Sequence, residues 1–327
     1  MNNWHSFLRK QGAIFSDENE VSFKDSLIFD EDRKKTSYLV PLTHLGVILL
    51  EGEDAKKFLQ GQVTCDINKL SGKNSISGAR CNPKGRTLTN FQLHQINDEK
   101  LLMVMHHSLI TKSKDELAKY AAFFRVKLFD ASDEYALFGF DPIDSKNQHQ
   151  EQHISSSYSY EDGRFVASCP IGYAEEVWSN FIKKMTPTGT DLWKKSDIQS
   201  GIPTLQEETS DIFVPQMLNL DHLDSISFTK GCYTGQEVVA RMKYLGKLKK
   251  KMYRIHRKNN ILPLPGTPCY IEETRQVSGN IISAVQINID FQELLVVLTD
   301  KAAKNKDIAI GDGSIEKIKY LPISYIK

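Results

Sequence analysis

Apolar residues recur along this chain at two different spacings, and the change between them divides the sequence. Residues 47–50 form a short apolar run that predicts a strand. Glu51-Gly52-Glu53-Asp54 then turns into a helical pattern through Ala55, Phe58, Leu59 and Val63, with Asp54 as its N-cap. Three stretches at 75–81, 87–94 and 101–106 predict strands, the first two joined by the turn Asn82-Pro83-Lys84-Gly85. Residues 108–120 place Leu109, Ile110 and Leu117 at helical spacing behind Ser108, and 126–129 begins another strand. Trp178 and Phe181 fall on one helix and 192–200 on another, which Gly201-Ile202-Pro203 ends.

Beyond Lys247 the period drops to two. Residues 250–256, 267–271, 280–286, 294–298, 307–310 and 315–320 alternate, punctuated by Gly266, Gly279, Gly311 and Gly313. That is the pattern of a small β-barrel or sandwich. Ahead of it strands and helices do not alternate strictly, so the class is α+β rather than a doubly wound parallel sheet. Residues 1–36 are polar and end in the charged run Asp30-Glu31-Asp32-Arg33-Lys34-Lys35; they predict a loosely packed arm with one short hairpin. At 144–163 Ser, Gln, His, Asn and acidic residues predict a long loop or hairpin tip.

Composition adds exclusions. The net charge of +1 names no partner, and no apolar run reaches bilayer length. The N-terminus lacks the basic-then-apolar pattern of a secretory signal. The five cysteines, Cys65, Cys81, Cys169, Cys232 and Cys269, include no Cys-x-x-Cys pair, so no stably bound metal is expected. Reduced thiols in a cytoplasmic protein are the simplest reading.

One segment concentrates chemistry. Residues 230–241 read Lys-Gly-Cys-Tyr-Thr-Gly-Gln-Glu-Val-Val-Ala-Arg. Cys232 lies between Gly231 and Gly235, behind Lys230 and ahead of a helical pattern that spaces Glu237 and Arg241 one turn apart. A thiol at a helix N-terminus beside a lysine has a lowered pKa and populates the thiolate. The competing reading is a small buried hydrophobe, the common state of a free cysteine. A second concentration is basic. Residues 238–271 hold no Asp or Glu, but carry Arg241, Lys243, Lys247, Lys249, Lys250, Lys251, Arg254, Arg257 and Lys258, with Tyr244 and Tyr253 among them. Such a stretch suits a polyanion, and is as often a solvated face.

The segment 230–241 resembles the signature of the YgfZ-type proteins, folate-binding factors that support iron–sulfur enzymes and are relatives of the glycine-cleavage aminomethyltransferase. The blocks 50–66, 78–86, 201–203 and 213–220 resemble the same family in the same order. The resemblance implies three domains in a ring around a central channel, the last a small β-barrel. It gives a discontinuous folate-binding core at 37–130 and 200–246, a second α+β domain at 131–199, a barrel at 247–327 and an arm at 1–36. It implies a functional thiol at Cys232, flanked by Lys230 and Tyr233. For a tetrahydrofolate ligand the candidates are Gln216, Asn219, Gly235, Gln236, Glu237 and Arg241. Amides and guanidinium suit a pterin edge; as structural residues Gln216 and Asn219 would cap loops and Arg241 would pair with Glu237. The basic stretch would take a folate polyglutamate tail or touch tRNA at 241–258.

The resemblance departs at Arg86-Thr87-Leu88-Thr89-Asn90-Phe91, where true aminomethyltransferases carry an aspartate pair and this chain has no carboxylate. Three readings stand at this stage. The leading one is a folate-binding accessory factor, not a classical enzyme, whose Cys232 supports iron–sulfur assembly or repair in client enzymes, some of which modify tRNA. The others are a folate-dependent aminomethyl transferase and an RNA- or protein-binding module with a structural cysteine.

Overall fold

A computed structural model describes residues 3–16, 19–24, 37–70, 75–141, 152–271, 276–305, 307–313 and 315–323. The charged run at 30–35 and residues 144–151 of the polar stretch lie outside them. The chain divides into two compact units.

The first unit comprises residues 1–59, 67–76 and 91–193. One of its sheets runs Ser156–Ser159, Phe165–Pro170, Tyr135–Asp141, Tyr38–Pro41 and Thr186–Pro187, antiparallel but for the last pair. The second centres on Leu45–Glu51, between Lys100–His106 and Lys127–Asp130, with residues 91–97 of strand Thr87–Asn97 beside Lys100–His106. Alternation along Tyr38–Pro41 explains the layering. Leu39 points into a core with Trp4, Leu8, Phe138 and Trp178, while Val40 points into one with Val47, Leu102, Val104 and Trp193. The first core is covered by helices Asn3–Lys10 and Ala174–Phe181; the second fills the space between the sheets.

The described residues of the N-terminal arm are therefore better packed than its polarity suggests. Its hairpin is present, as Ile14–Phe15 paired with Val21–Ser22. Ahead of it, helix Asn3–Lys10 buries Trp4 edge-on to Phe138 and Trp178. Two large apolar residues one helical turn apart supply enough buried area to order eight otherwise polar residues. Asp54 stands at the expected start of helix Ala55–Gln60, its carbonyl accepting the Phe58 N–H at 2.8 Å, while its carboxylate accepts the Arg125 backbone N–H at 2.9 Å. Ser108 lies inside a 3-10 turn, and the helix starts at Ile110.

The second unit comprises residues 60–66, 77–90 and 194–327. Its C-terminal part is a seven-stranded antiparallel sheet in the order Glu316–Lys317, Asp307–Ile310, Pro268–Ile271, Val277–Gln286, Phe291–Thr299, Lys250–Lys258, Lys319–Leu321. The two outermost strands are neighbours in the chain, joined through buried Ile318, so the sheet curls until its edges nearly meet. Ile255, Cys269, Ile281, Leu294, Val296, Leu298 and Ile308 fill it. One helix, Asp300–Asn305, was not legible in the alternation; it plugs the core with Ala302.

Candidate functional site

The signature segment is held by the turn between strands Ser75–Cys81 and Thr87–Asn97. Asn82 organises that turn: its Oδ1 accepts the N–H groups of Lys84 at 2.8 Å and Arg86 at 3.0 Å, and its Nδ2 donates to Asp211. Gly85 closes it at φ +68°. The signature helix, Gln236–Tyr244, starts directly against this turn, with Gly235 as N-cap at φ +83°. A Cβ on Gly235 would stand 2.5 Å from the Asn82 carbonyl oxygen, and one on Gly85 would stand 2.7 Å from the Val238 Cβ. The two glycines interlock, and the close approach they permit is to the chain itself. Gly231, by contrast, has nothing within 4 Å of its Cβ position.

Cys232 is exposed, whereas Cys65, Cys81, Cys169 and Cys269 are buried. Burial pushes the thiols of those four up to about 12. Cys232 is thus the thiol that a reagent in solution can reach. Its setting differs from the sequence expectation in two respects. First, Tyr233, Thr234 and Gly235 separate it from the first helical residue. The left-handed Gly235 and the bond from the Gln236 N–H to the Tyr233 carbonyl turn the chain, and the Thr234 N–H is tied to the Gly61 carbonyl at 3.2 Å. Cys232 is therefore on a loop before the helix, not at its first turn.

Second, the Lys230 ammonium is committed elsewhere. Lys230 is buried, with Nζ donating to the carbonyl oxygens of Val63 at 2.9 Å and Cys65 at 2.7 Å and lying 5.2 Å from the centre of the Tyr233 ring. Burial lowers its pKa to about 8 against the raising pull of Cys65 and Asp66. Lys230 and buried Tyr233 form the floor of the cysteine loop, and the Tyr233 hydroxyl is held above its usual pKa, chiefly by burial. We expect Lys230→Met to lose about 2 kcal/mol of stability at pH 7, because two carbonyls then face a methyl group. Lys230 releases its proton near 8 when folded and near its ordinary value when unfolded, so the unfolded chain binds more protons between them. The stability margin of wild type over Lys230→Met should consequently widen as pH rises from 8 toward 10. Urea melts of both proteins at pH 7, 8 and 9.5 check this, and a margin that narrows with pH contradicts it.

Of the candidate ligand residues, Gln216 is the one with a buried acceptor that has no partner among the described residues. Its Nε2 donates to the Val239 carbonyl at 2.6 Å, which fixes the amide orientation, and its Oε1 is buried with no hydrogen-bond partner. A buried acceptor without a donor is costly, and a ligand N–H donor would satisfy it. Asn219 has a structural job: it ends the turn Pro215–Leu218 in the left-handed region at φ +57°, with Nδ2 3.4 Å from the Met252 carbonyl oxygen. Gln236 is half-buried at the helix start, and Glu237 and Arg241 are exposed. Among the described residues no ion pair joins those two, so their helical spacing does not produce the expected contact.

Asn90 lies in the stretch 86–91, which holds no carboxylate. Its amide donates to the Pro203 carbonyl at 2.7 Å and accepts the Leu205 N–H at 2.9 Å. The amide staples residues 203–205, a use that needs donor and acceptor together and that no carboxylate could serve. Sequence reasoning also missed Thr64. Its hydroxyl donates to the Ser225 carbonyl at 2.6 Å and accepts the Ala79 N–H at 2.9 Å, tying the start of the cysteine loop to the strand before the turn. Its sole signal was membership of the block 50–66. The basic stretch divides in two. Arg254 pairs with Glu293 and Arg257 with Glu316 on the barrel, while Arg241, Lys243, Lys247, Lys249 and Lys251 are exposed. Among the described residues no group of three or more His, Cys, Asp or Glu could hold a metal ion, and no helix is long and apolar enough to cross a membrane.

The architecture places the chain in a known class. It superposes with a TM-score of 0.72 on the glycine cleavage system aminomethyltransferase T from Bartonella henselae, over 99% of this chain and 97% of that one, at 12% identity. The fold is that of the aminomethyltransferases, with a nearly closed C-terminal barrel-shaped sheet. No protein-family model matches the chain. It is 37% identical over 231 residues to the tRNA-modifying protein YgfZ of Colwellia psychrerythraea, covering 66% of this chain and 71% of that protein. It is 28% identical over 305 residues to the protein of the same name from Yersinia pestis, covering 88% and 92%. The chain belongs to the YgfZ family.

Proposed function

We propose that this protein is a folate-binding accessory factor that supports the assembly or repair of iron–sulfur clusters in client enzymes, tRNA-modifying enzymes among them, through the thiol of Cys232. The observation that carries the reading is the separation of roles among the five cysteines: one exposed thiol on a braced loop, and four buried thiols that stay protonated. The aminomethyltransferase fold supports a tetrahydrofolate ligand, which supplies a one-carbon carrier when bound. Gln216 would hold its pterin through the unpartnered Oε1, and Arg241 would meet its glutamate carboxylates. The absence of a carboxylate from residues 86–91 supports binding without aminomethyl transfer, because no general base stands in that stretch. Direct tRNA contact through 241–258 belongs to the same reading, and cytoplasmic work with reduced thiols fits it.

Anaerobic calorimetric titration with tetrahydrofolate tests the ligand. We expect wild type and Cys232→Ser to bind alike, and Gln216→Leu to bind at least ten-fold more weakly, the loss expected when a ligand N–H is left facing an apolar group. Heat from none of the three proteins overturns the folate reading. Turnover of methylene-tetrahydrofolate with a small amine acceptor would favour the transferase instead.

A further inference from the structure

The C-terminal end of the signature helix carries a surface that thiol and folate leave unused. Helix Gln236–Tyr244 ends where the Leu245 N–H bonds to the Arg241 carbonyl, and the chain then turns at Gly246, packed against Met242. This makes a projecting knuckle, with Tyr244 68% and Leu245 85% exposed. Around it Arg241, Lys243, Lys247, Lys249 and Lys251 are exposed, and no ion pair engages any of them among the described residues. The acidic groups near the knuckle are Glu237, about two turns back from Tyr244 on the same helix, and Asp300, whose N–H bonds to the Lys249 carbonyl.

Lysines on a surface are ordinary; their arrangement with aromatic rings is less so. The Lys243 Nζ lies 5.1 Å from the centre of the Phe228 ring, and Tyr244 meets the same ring edge-on at 6.3 Å between centroids. Phe228 thus fixes the direction of both, leaving the outer face of Tyr244 to solvent. Phe228 also opens the loop that carries Cys232, so the knuckle and the thiol share one segment of chain.

We infer that this knuckle is a docking surface for single-stranded RNA, with Lys243, Lys247 and Lys249 on backbone phosphates and a base stacked on Tyr244. Clustered unpaired cations supply sequence-independent affinity, and a preset exposed aromatic supplies stacking that every base can use. A polyglutamate chain satisfies the charges but has no ring for Tyr244, and a duplex keeps its bases inside. The inference deepens the accessory-factor reading by placing RNA beside the Cys232 loop. It is measured without folate or client enzyme, so either can fail alone.

The test is fluorescence anisotropy of the full-length protein with a labelled unstructured RNA of about 12 nucleotides, within the usual single-strand site size, across a salt series. For wild type we expect log affinity to fall with log salt at a slope of about −2 to −3, near −0.7 for each phosphate contacted. The triple variant Lys243→Ala, Lys247→Ala, Lys249→Ala should flatten that slope by about 2. Tyr244→Ala should weaken binding roughly ten-fold with the slope unchanged, because stacking releases no counterions. Because the substituted side chains are exposed, both variants should melt as wild type does, which shows that they are folded. Absence of RNA binding at 50 mM salt overturns the inference, as does a triple variant with the wild-type slope. Equal affinity for poly-γ-glutamate or an RNA duplex, together with indifference to Tyr244→Ala, overturns it as well and leaves a generic polyanion surface.

Discussion

Cys232→Ser should fold and melt like wild type and should fail to support client iron–sulfur enzymes, leaving a deletion strain at its uncomplemented activity. The side chain is exposed, and an exposed Cys-to-Ser change removes no packing, so stability should move by less than about 0.5 kcal/mol. A serine hydroxyl matches the thiol in shape but does not ionise near neutral pH or exchange with sulfur. The opposite pattern is expected at Cys65, buried beneath the same loop. There serine places a hydroxyl in an apolar site at a cost of about 1–3 kcal/mol, while client support survives in the molecules that remain folded. Assay of a tRNA-modifying iron–sulfur client in the complemented strain, alongside thermal melts of the purified variants, separates the two. Full support by Cys232→Ser removes the thiol from the account.

Gly235→Ala should be the most damaging small change in the signature. At φ +83° an alanine costs about 1–2 kcal/mol. Its Cβ would also stand 2.5 Å from the Asn82 carbonyl oxygen and 3.0 Å from the Cys81 Cβ, and these are backbone and strand-root atoms that cannot swing aside. Overpacking of this kind adds about 1–3 kcal/mol, so we expect roughly 3 kcal/mol in all, or a melting temperature lowered by about 6–12 °C. Gly231→Ala is the control. That glycine has open space around its Cβ position and no positive φ, so the change should be neutral within about 0.5 kcal/mol. Equal damage at the two positions contradicts the interlock with the Asn82–Gly85 turn.

The contrast between these glycines shows what the sequence could reveal. Alternation beyond Lys247 announced the barrel because each strand has one face on a shared apolar core, and the Asn82-Pro83-Lys84-Gly85 turn announced itself through residues whose φ preferences are local. Helices Asn3–Lys10 and Asp300–Asn305 were hidden because each is ordered by one or two apolar residues, too few to register as a period. At the site, the sequence singled out Cys232, and the structure exposes it alone among the five cysteines; how its loop is held was not legible. Lys230 precedes Cys232 by two residues, yet its ammonium turns inward to carbonyls more than 160 residues away in sequence. Glu237 and Arg241 have the spacing of an ion pair, yet both lie in solvent, where such a pair is worth little. Asn90 and Gln216 look alike as amides, but one is fully spent on backbone and the other keeps a buried free acceptor, a difference that only packing decides.

The central claim is that Cys232 is the one thiol available for chemistry and that the work depends on it. Brief iodoacetamide treatment of the native reduced protein, followed by peptide mass spectrometry and assay of client support, tests it most directly. The account predicts a single alkylated residue, Cys232, with support lost in proportion to its labelling. Alkylation at Cys65, Cys81, Cys169 or Cys269 in the folded protein, or full support by protein quantitatively labelled at Cys232, would contradict it.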